Sequence, residues 1–336
     1  MGQRMEQVLE KRRIGPFSVT AIGFGCMNLS HAYGVPPSPE AAEALLLEAL
    51  DLGIDHFDTA ALYGFGANEE LLGRVLKPYR SRIVLASKCG IGPVDGKRVI
   101  DGRPETLRRS CEESLKRLQT EVIDLYYLHR WDKKVPVEES VGALGELVRQ
   151  GKVRAIGLSE VSAKTLRRAH AEHPVAALQT EYSLWTRNPE IAVKDACREI
   201  GAAFLAFSPV ARGFLTGKLR DVSAFEAKDI RRAMPRFQPE NYAANLSLLP
   251  AYAKLAADAG CTMAQLALAW LLSRGEHIVP LIGTTDSGHL RENLGALDVR
   301  LDAGTMARLD ELINQNTVVG QRYNEQNSAE VDTEEF

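Results

Sequence analysis

Apolar residues fall in two rhythms that alternate along the chain. Short runs rich in Val, Ile, Leu and Phe give way to longer stretches in which apolar positions recur every three or four residues. The short runs read as strands at 19–25 (VTAIGFG), 53–59 (GIDHFDT), 82–88 (RIVLASK), 121–129 (EVIDLYYLH), 152–159 (KVRAIGLS), 175–180 (VAALQT), 202–208 (AAFLAFS) and 277–283 (HIVPLIG). The stretches after them read as helices. In 38–53 Ser38 supplies an N-cap and Gly53 a stop, and in 103–118 Pro104 takes a first-turn position. This alternation predicts a parallel sheet covered by helices, and eight repeats suffice to close a (β/α)8 TIM barrel.

Other segments break the rhythm. Residues 12–20 (RRIGPFSVT) place Gly-Pro between alternating residues and read as an N-terminal hairpin capping the barrel floor. The long loop after strand seven, 209–242, begins with small residues at a strand end and reads as a functional flap. Residues 317–336 turn polar and acidic, and are expected to be a loosely held tail. No linker divides the chain, so one domain is expected over 1–336, with its core at about 12–315. A doubly wound dinucleotide fold would need G-x-G-x-x-G after the first strand. Gly23 and Gly25 are present, but Asn28 stands in the third place.

Composition narrows the classes. Hydrophobic residues at 45% and charged residues at 25% suit a chain that buries a sizeable core. A formal charge of −3 and a pI near 6.2 give no reason to expect nucleic acid as a partner. The five cysteines are scattered without a CxxC pair, which predicts a reducing compartment rather than a disulfide framework. The first residues lack a signal-peptide core, and the apolar run 263–272 is too short to span a membrane. A cytoplasmic protein is expected. The oligomeric state is not legible.

The chemistry gathers where barrels carry it, at the C-terminal ends of strands. Asp58 ends strand two, Tyr63 lies in the loop beyond, Lys88 ends strand three and His129 ends strand four. Each alone has a packing or solvated-surface reading, but together they put an acid, a phenol, an amine and an imidazole on one rim. A phenol with a pKa near ~10 is a poor acid without help. An ammonium beside it favours the phenolate, a carboxylate holds that ammonium, and an imidazole can polarise a carbonyl. The set suits proton donation to a carbonyl oxygen. No carboxylate or imidazole stands at ligand spacing from His56 or His129, so no metal is expected.

The blocks HFDTAALYG, LASKCG and LYYLHR, in this order, resemble the aldo-keto reductase superfamily, and the likeness runs over about 12–315. The branch it most resembles holds perakine-reductase-like and pyridoxal-reductase-like enzymes. The resemblance implies a (β/α)8 barrel that binds NADPH without a Rossmann motif, and a tetrad of Asp58, Tyr63, Lys88 and His129. It implies that Ser159, Glu160 and Gln179 hold the nicotinamide carboxamide, although relatives commonly carry Asn where Glu160 stands. Phe207 takes the place of an aromatic that stacks on the nicotinamide ring. Ser208, Gly213, Leu215, Gly217 and Lys218 match a flap over the pyrophosphate. Gly283, Thr284, His289, Arg291, Glu292 and Asn293 match the adenosine 2′-phosphate segment. There Thr285 and Asp286 replace the usual cations, which implies NADPH preferred with NADH also usable. Cys26, Met27, Tyr33, Cys89, Trp131 and Trp185 are expected around the substrate. With no cation among them, aldehydes or bulky ketones are expected rather than small anionic acids. The alternative is a cofactor-binding sensor or regulatory subunit with little turnover, as in the channel β-subunits of the superfamily.

Overall fold

The computed structural model describes residues 9–30, 32–94 and 97–336. Among these, the strands are β1 (Lys11–Ile14), β2 (Phe17–Thr20), β3 (Gly23–Gly25), β4 (His56–Asp58), β5 (Val84–Cys89), β6 (Ile91–Val94), β7 (Lys97–Ile100), β8 (Ile123–Leu128), β9 (Val153–Ser159), β10 (Val175–Glu181), β11 (Ala203–Phe207) and β12 (Ile278–Ile282). The helices are α1 (Pro39–Asp51), α2 (Ala67–Leu76), α3 (Pro104–Arg117), α4 (Val137–Arg149), α5 (Ala163–Glu172), α6 (Val193–Glu199), α7 (Pro239–Leu246), α8 (Leu249–Asp258), α9 (Met263–Leu272), α10 (Ser287–Leu294), α11 (Ala303–Leu312) and α12 (Glu325–Ala329). The strands β3, β4, β5, β8, β9, β10, β11 and β12 pair in parallel around a closed barrel. This is the predicted (β/α)8 barrel.

Local rules account for the helices. Ser38 accepts from Ala41 N at 3.2 Å with Pro39 at the first position of α1, and Thr262 and Gln265 form a reciprocal cap on α9. Helix α9 is apolar nearly all round because it is nearly all buried. No single described helix is long and apolar enough to cross a membrane.

The barrel lumen is filled by small and branched side chains, including Ala86, Leu125, Ala155, Ala177, Ala203, Leu205 and Val279. Ile14 and Val19 of the β1–β2 hairpin pack into the same cluster, so the hairpin plugs one end. The first expected strand, 19–25, is therefore two strands. Its front half pairs with β1, and only Gly23–Gly25 joins the barrel.

The tail is a correction. Residues 323–331 wrap back to the barrel mouth, and α12 lies within them. Asp332 accepts from Ser162 Oγ at 2.9 Å and Thr165 Oγ1 at 2.7 Å, and Glu334 accepts from Ala163 N at 2.7 Å. Asp332 and Glu334 thus sit on the N-terminus of α5, where free backbone N–H groups favour negative charge.

Candidate active site

Register brings the predicted residues together. Asp58 on β4 lies opposite Ala86 on β5, and Lys88 stands two residues further along β5, on the same inward face. Lys88 Nζ donates to Asp58 Oδ1, to Thr59 O at 2.8 Å and to Tyr63 Oη at 3.3 Å. Gln179, opposite Ser159 in the β9–β10 register, donates to Asp58 Oδ2 at 2.9 Å. The carboxylate is held from both sides, and the ammonium is held by it.

Tyr63 is placed by a tight turn before α2. Gly64, Phe65 and Gly66 all have positive φ, of 58°, 51° and 100°. Asn68 pins this turn: it accepts from Thr59 Oγ1 at 2.6 Å and donates to Cys26 O at 2.9 Å and Ser30 Oγ at 2.8 Å. The His129 ring meets the Tyr63 ring edge-on, with centroids 5.8 Å apart.

Burial decides the protonation states. Desolvation pushes the Tyr63 phenol above its ordinary pKa, outweighing the opposite pull of Lys88. Lys88 pulls the phenol in the expected direction, toward easier proton release, and burial outweighs that pull. For Lys88, burial pulls the pKa down but Asp58 and Tyr63 more than restore it, so the ammonium stays charged. His129 is held well below the usual imidazole range by burial, then by Arg130 and Lys88. It is neutral at pH 7, and its buried Nδ1 has no hydrogen-bond partner among the described residues.

These groups open on a cavity of about 1090 Å³. Met27, Tyr33, Ser159, Gln179, Phe207, Ser208, Gly213, Gly283, Thr284 and His289 are on its wall, as the sequence placed them. Others are not. Trp185 is buried against Phe214, with ring centroids 4.3 Å apart and planes 9° from parallel. Trp131 turns its indole N–H to Val135 O at 2.8 Å, and Cys26 and Cys89 are fully buried off the wall. Leu215 is in the hydrophobic core, and the close approach of Met263 fills the space a side chain would need at Gly217.

Glu160 points away from the cavity. It is 1% exposed, accepts from Glu181 N at 3.0 Å and pairs with Arg322 of the tail. At the other end, Arg291 is drawn to Glu48 on α1, and Asn293 is buried off the wall. Asp286 caps α10 by accepting from His289 N at 2.8 Å. Lys218 remains exposed, with Nζ 3.2 Å from His289 Nε2 and 3.5 Å from Glu292 Oε2.

The wall also holds residues that the sequence reading passed over. Lys97, Arg98, Arg130, Arg212 and Arg231 bring positive charge, and Tyr323, Asn324, Gln326 and Asn327 come from the tail. The expectation of a site without cations is therefore corrected. Arg130 directly follows His129 at a strand end, a signal that could have found it; the tail residues carry no such signal.

A closed barrel with this cluster at the C-terminal strand ends defines a class of carbonyl-processing oxidoreductase. Residues 21–314 match the aldo/keto reductase family. The chain is 44% identical over 319 residues to aldo-keto reductase yakc, NADP(+), of Schizosaccharomyces pombe, spanning 93% of this chain and 94% of that one. It is 45% identical over 311 residues to probable aldo-keto reductase 1 of Glycine max, spanning 91% and 89%. Among solved structures, the glycerol dehydrogenase AKR11B4 of Gluconobacter oxydans matches with a TM-score of 0.83 at 28% identity, covering 94% and 98%. The chain belongs to the aldo/keto reductase family and is an oxidoreductase.

Proposed function

We propose that the protein reduces an aldehyde or a bulky ketone to the alcohol with NADPH, and that Tyr63 is the general acid. The observation that carries this reading is the contact of Lys88 Nζ with Tyr63 Oη at 3.3 Å inside a buried Asp58–Lys88 pair. Yakc, the S. pombe relative, is named for NADP(+), which supports the cofactor.

The chain's own residues fit such a cofactor. Beside the Tyr63 cluster, Ser159 and Gln179 offer polar groups and Phe207 offers a ring face. Ser208, Ala211, Arg212 and Gly213 run through left-handed backbone, with φ of 52°, 53°, 55° and 99°. Such turns aim successive N–H groups at one point and suit an anion. A cavity of about 1090 Å³ exceeds the common single-ligand range of ~300–1,000 Å³, so it has room for cofactor and substrate together.

When bound, NADPH supplies the hydride. The protein supplies the rest. Burial keeps Tyr63 protonated until a carbonyl oxygen sits against it. Lys88, charged and fixed by Asp58 and the Thr59 carbonyl, stabilises the phenolate left when the proton moves to that oxygen. Neutral His129 donates a hydrogen bond to the same oxygen and orients it. Met27, Tyr33, Leu62 and Phe65 give the substrate an apolar wall.

The test is NADPH oxidation, followed by nicotinamide absorbance, over a panel of aldehydes and bulky ketones. Turnover supports the reading. Tight NADPH binding without turnover on any carbonyl would move the protein to the sensor or regulatory class.

A further inference from the structure

The cations on the cavity wall are not equivalent. Arg212 pairs with Glu181 at 2.5 Å, Arg231 with Asp229 at 2.7 Å and Arg98 with Glu330 at 2.5 Å. Each of these charges is answered within the protein. Arg130 is different. Among the described residues no carboxylate lies within ion-pair distance of it. Its hydrogen bonds go to His129 O at 2.6 Å and Ser159 Oγ at 3.2 Å, both from Nη1. The other half of the guanidinium fork is left to the cavity, whose wall Arg130 helps to form.

Position says what this charge faces. Arg130 follows His129 at the end of β8 and touches Ser159 at the end of β9, so it stands at the reacting end of the cavity. Its field reaches both His129 and Tyr63. The cofactor's phosphates would be met elsewhere, on the Lys218–His289 edge beside Thr284. A half-buried guanidinium on a cavity wall, with no counter-charge among the described residues, is suited to take an anionic ligand. At this end the remaining ligand is the substrate.

We propose that Arg130 receives an anionic group on the carbonyl substrate, so that preferred substrates are aldehydes or ketones bearing a carboxylate or a phosphate. This rests on the reductase reading above. The planar fork suits either group, bound through two parallel N–H···O contacts. Lys97, on the β7 side of the cavity, adds positive potential nearby. Hydride and proton go to the carbonyl as before, and the anion is unchanged.

The experiment compares kcat/KM with NADPH for 4-carboxybenzaldehyde and its methyl ester. A second arm compares glyceraldehyde 3-phosphate with glyceraldehyde. Wild type, Arg130→Met and Arg130→Lys are run together. Wild type is expected to favour the charged member of at least one pair by about tenfold or more. The larger ratio identifies the source of the anion. Arg130→Met is expected to bring that ratio near one through KM, and Arg130→Lys to keep part of it. Turnover of the neutral aldehydes without a charged preference in wild type would overturn the Arg130 site alone. So would a preference that survives Arg130→Met. Loss of all turnover on every aldehyde in wild type would overturn the reductase reading and this inference with it.

Discussion

Arg322 ties the tail to the barrel, and replacing it with Met tests that tie. Its side chain is 10% exposed and reaches two buried carboxylates, Glu160 directly and Glu181 at 3.2 Å. Methionine keeps most of the stem and removes the charge. Glu181 would still be answered by Arg212, so the loss falls on Glu160, whose side chain is fully buried. Breaking a buried pair by removing one partner costs about 3–5 kcal/mol. An unfolding entropy of ~2.1 cal/mol/K per residue over 336 residues gives ~0.7 kcal/mol/K, so Tm should fall by roughly 4–7 °C. Adding Glu160→Gln removes the stranded charge and should recover more than half of that. The assay is a set of thermal melts at pH 7 on wild type, both single variants and the double variant. A shift below about 1 °C in Arg322→Met, or a double variant no more stable than it, would refute the reasoning.

Further outcomes follow from the site. Lys218→Ala should lower the NADPH-to-NADH ratio of kcat/KM severalfold, whereas Arg291→Ala should leave it within about twofold, because Arg291 is engaged by Glu48. Equal effects of the two would contradict this. Trp185→Ala should cost about 3–5 kcal/mol in denaturant unfolding with little change in substrate KM, since its ring packs on Phe214 away from the cavity. His56, His129 and His277 are each held below the ordinary imidazole pKa by burial. The unfolded chain therefore takes up protons from about pH 6.5 downward while the native imidazoles resist, so stability is full above that pH and lost as pH falls. The carboxylates of Glu181, buried, and Glu190, half-buried, are also lowered and defer their own loss to more acid pH. Tm should drop between pH 7 and 5, and a flat profile there would count against this assignment.

The barrel and the tetrad cluster were legible for the same reason. Parallel strands have a period of two and a fixed direction, so a polar residue closing an apolar run, such as Lys88 or His129, must end on the functional rim. What the sequence hid depends on partners far along the chain. Glu160 could be read as facing the cavity until Arg322 is placed behind it, and Arg291 as a phosphate ligand until Glu48 claims it. The tail's acidic residues resemble a disordered end in composition, yet Asp332 and Glu334 bind the first turn of α5. Trp185 shows the limit of reading aromatics as cavity walls, since a flat ring serves equally well as core.

Tyr63, beside Lys88, is the proposed proton donor. The most direct test of this role is single-turnover NADPH oxidation by wild type and Tyr63→Phe on the same aldehyde, with NADPH affinity measured separately by fluorescence titration. The rate should fall by about 10²–10⁴-fold while the NADPH dissociation constant stays within about threefold. A Tyr63→Phe enzyme that keeps the wild-type rate would contradict that role.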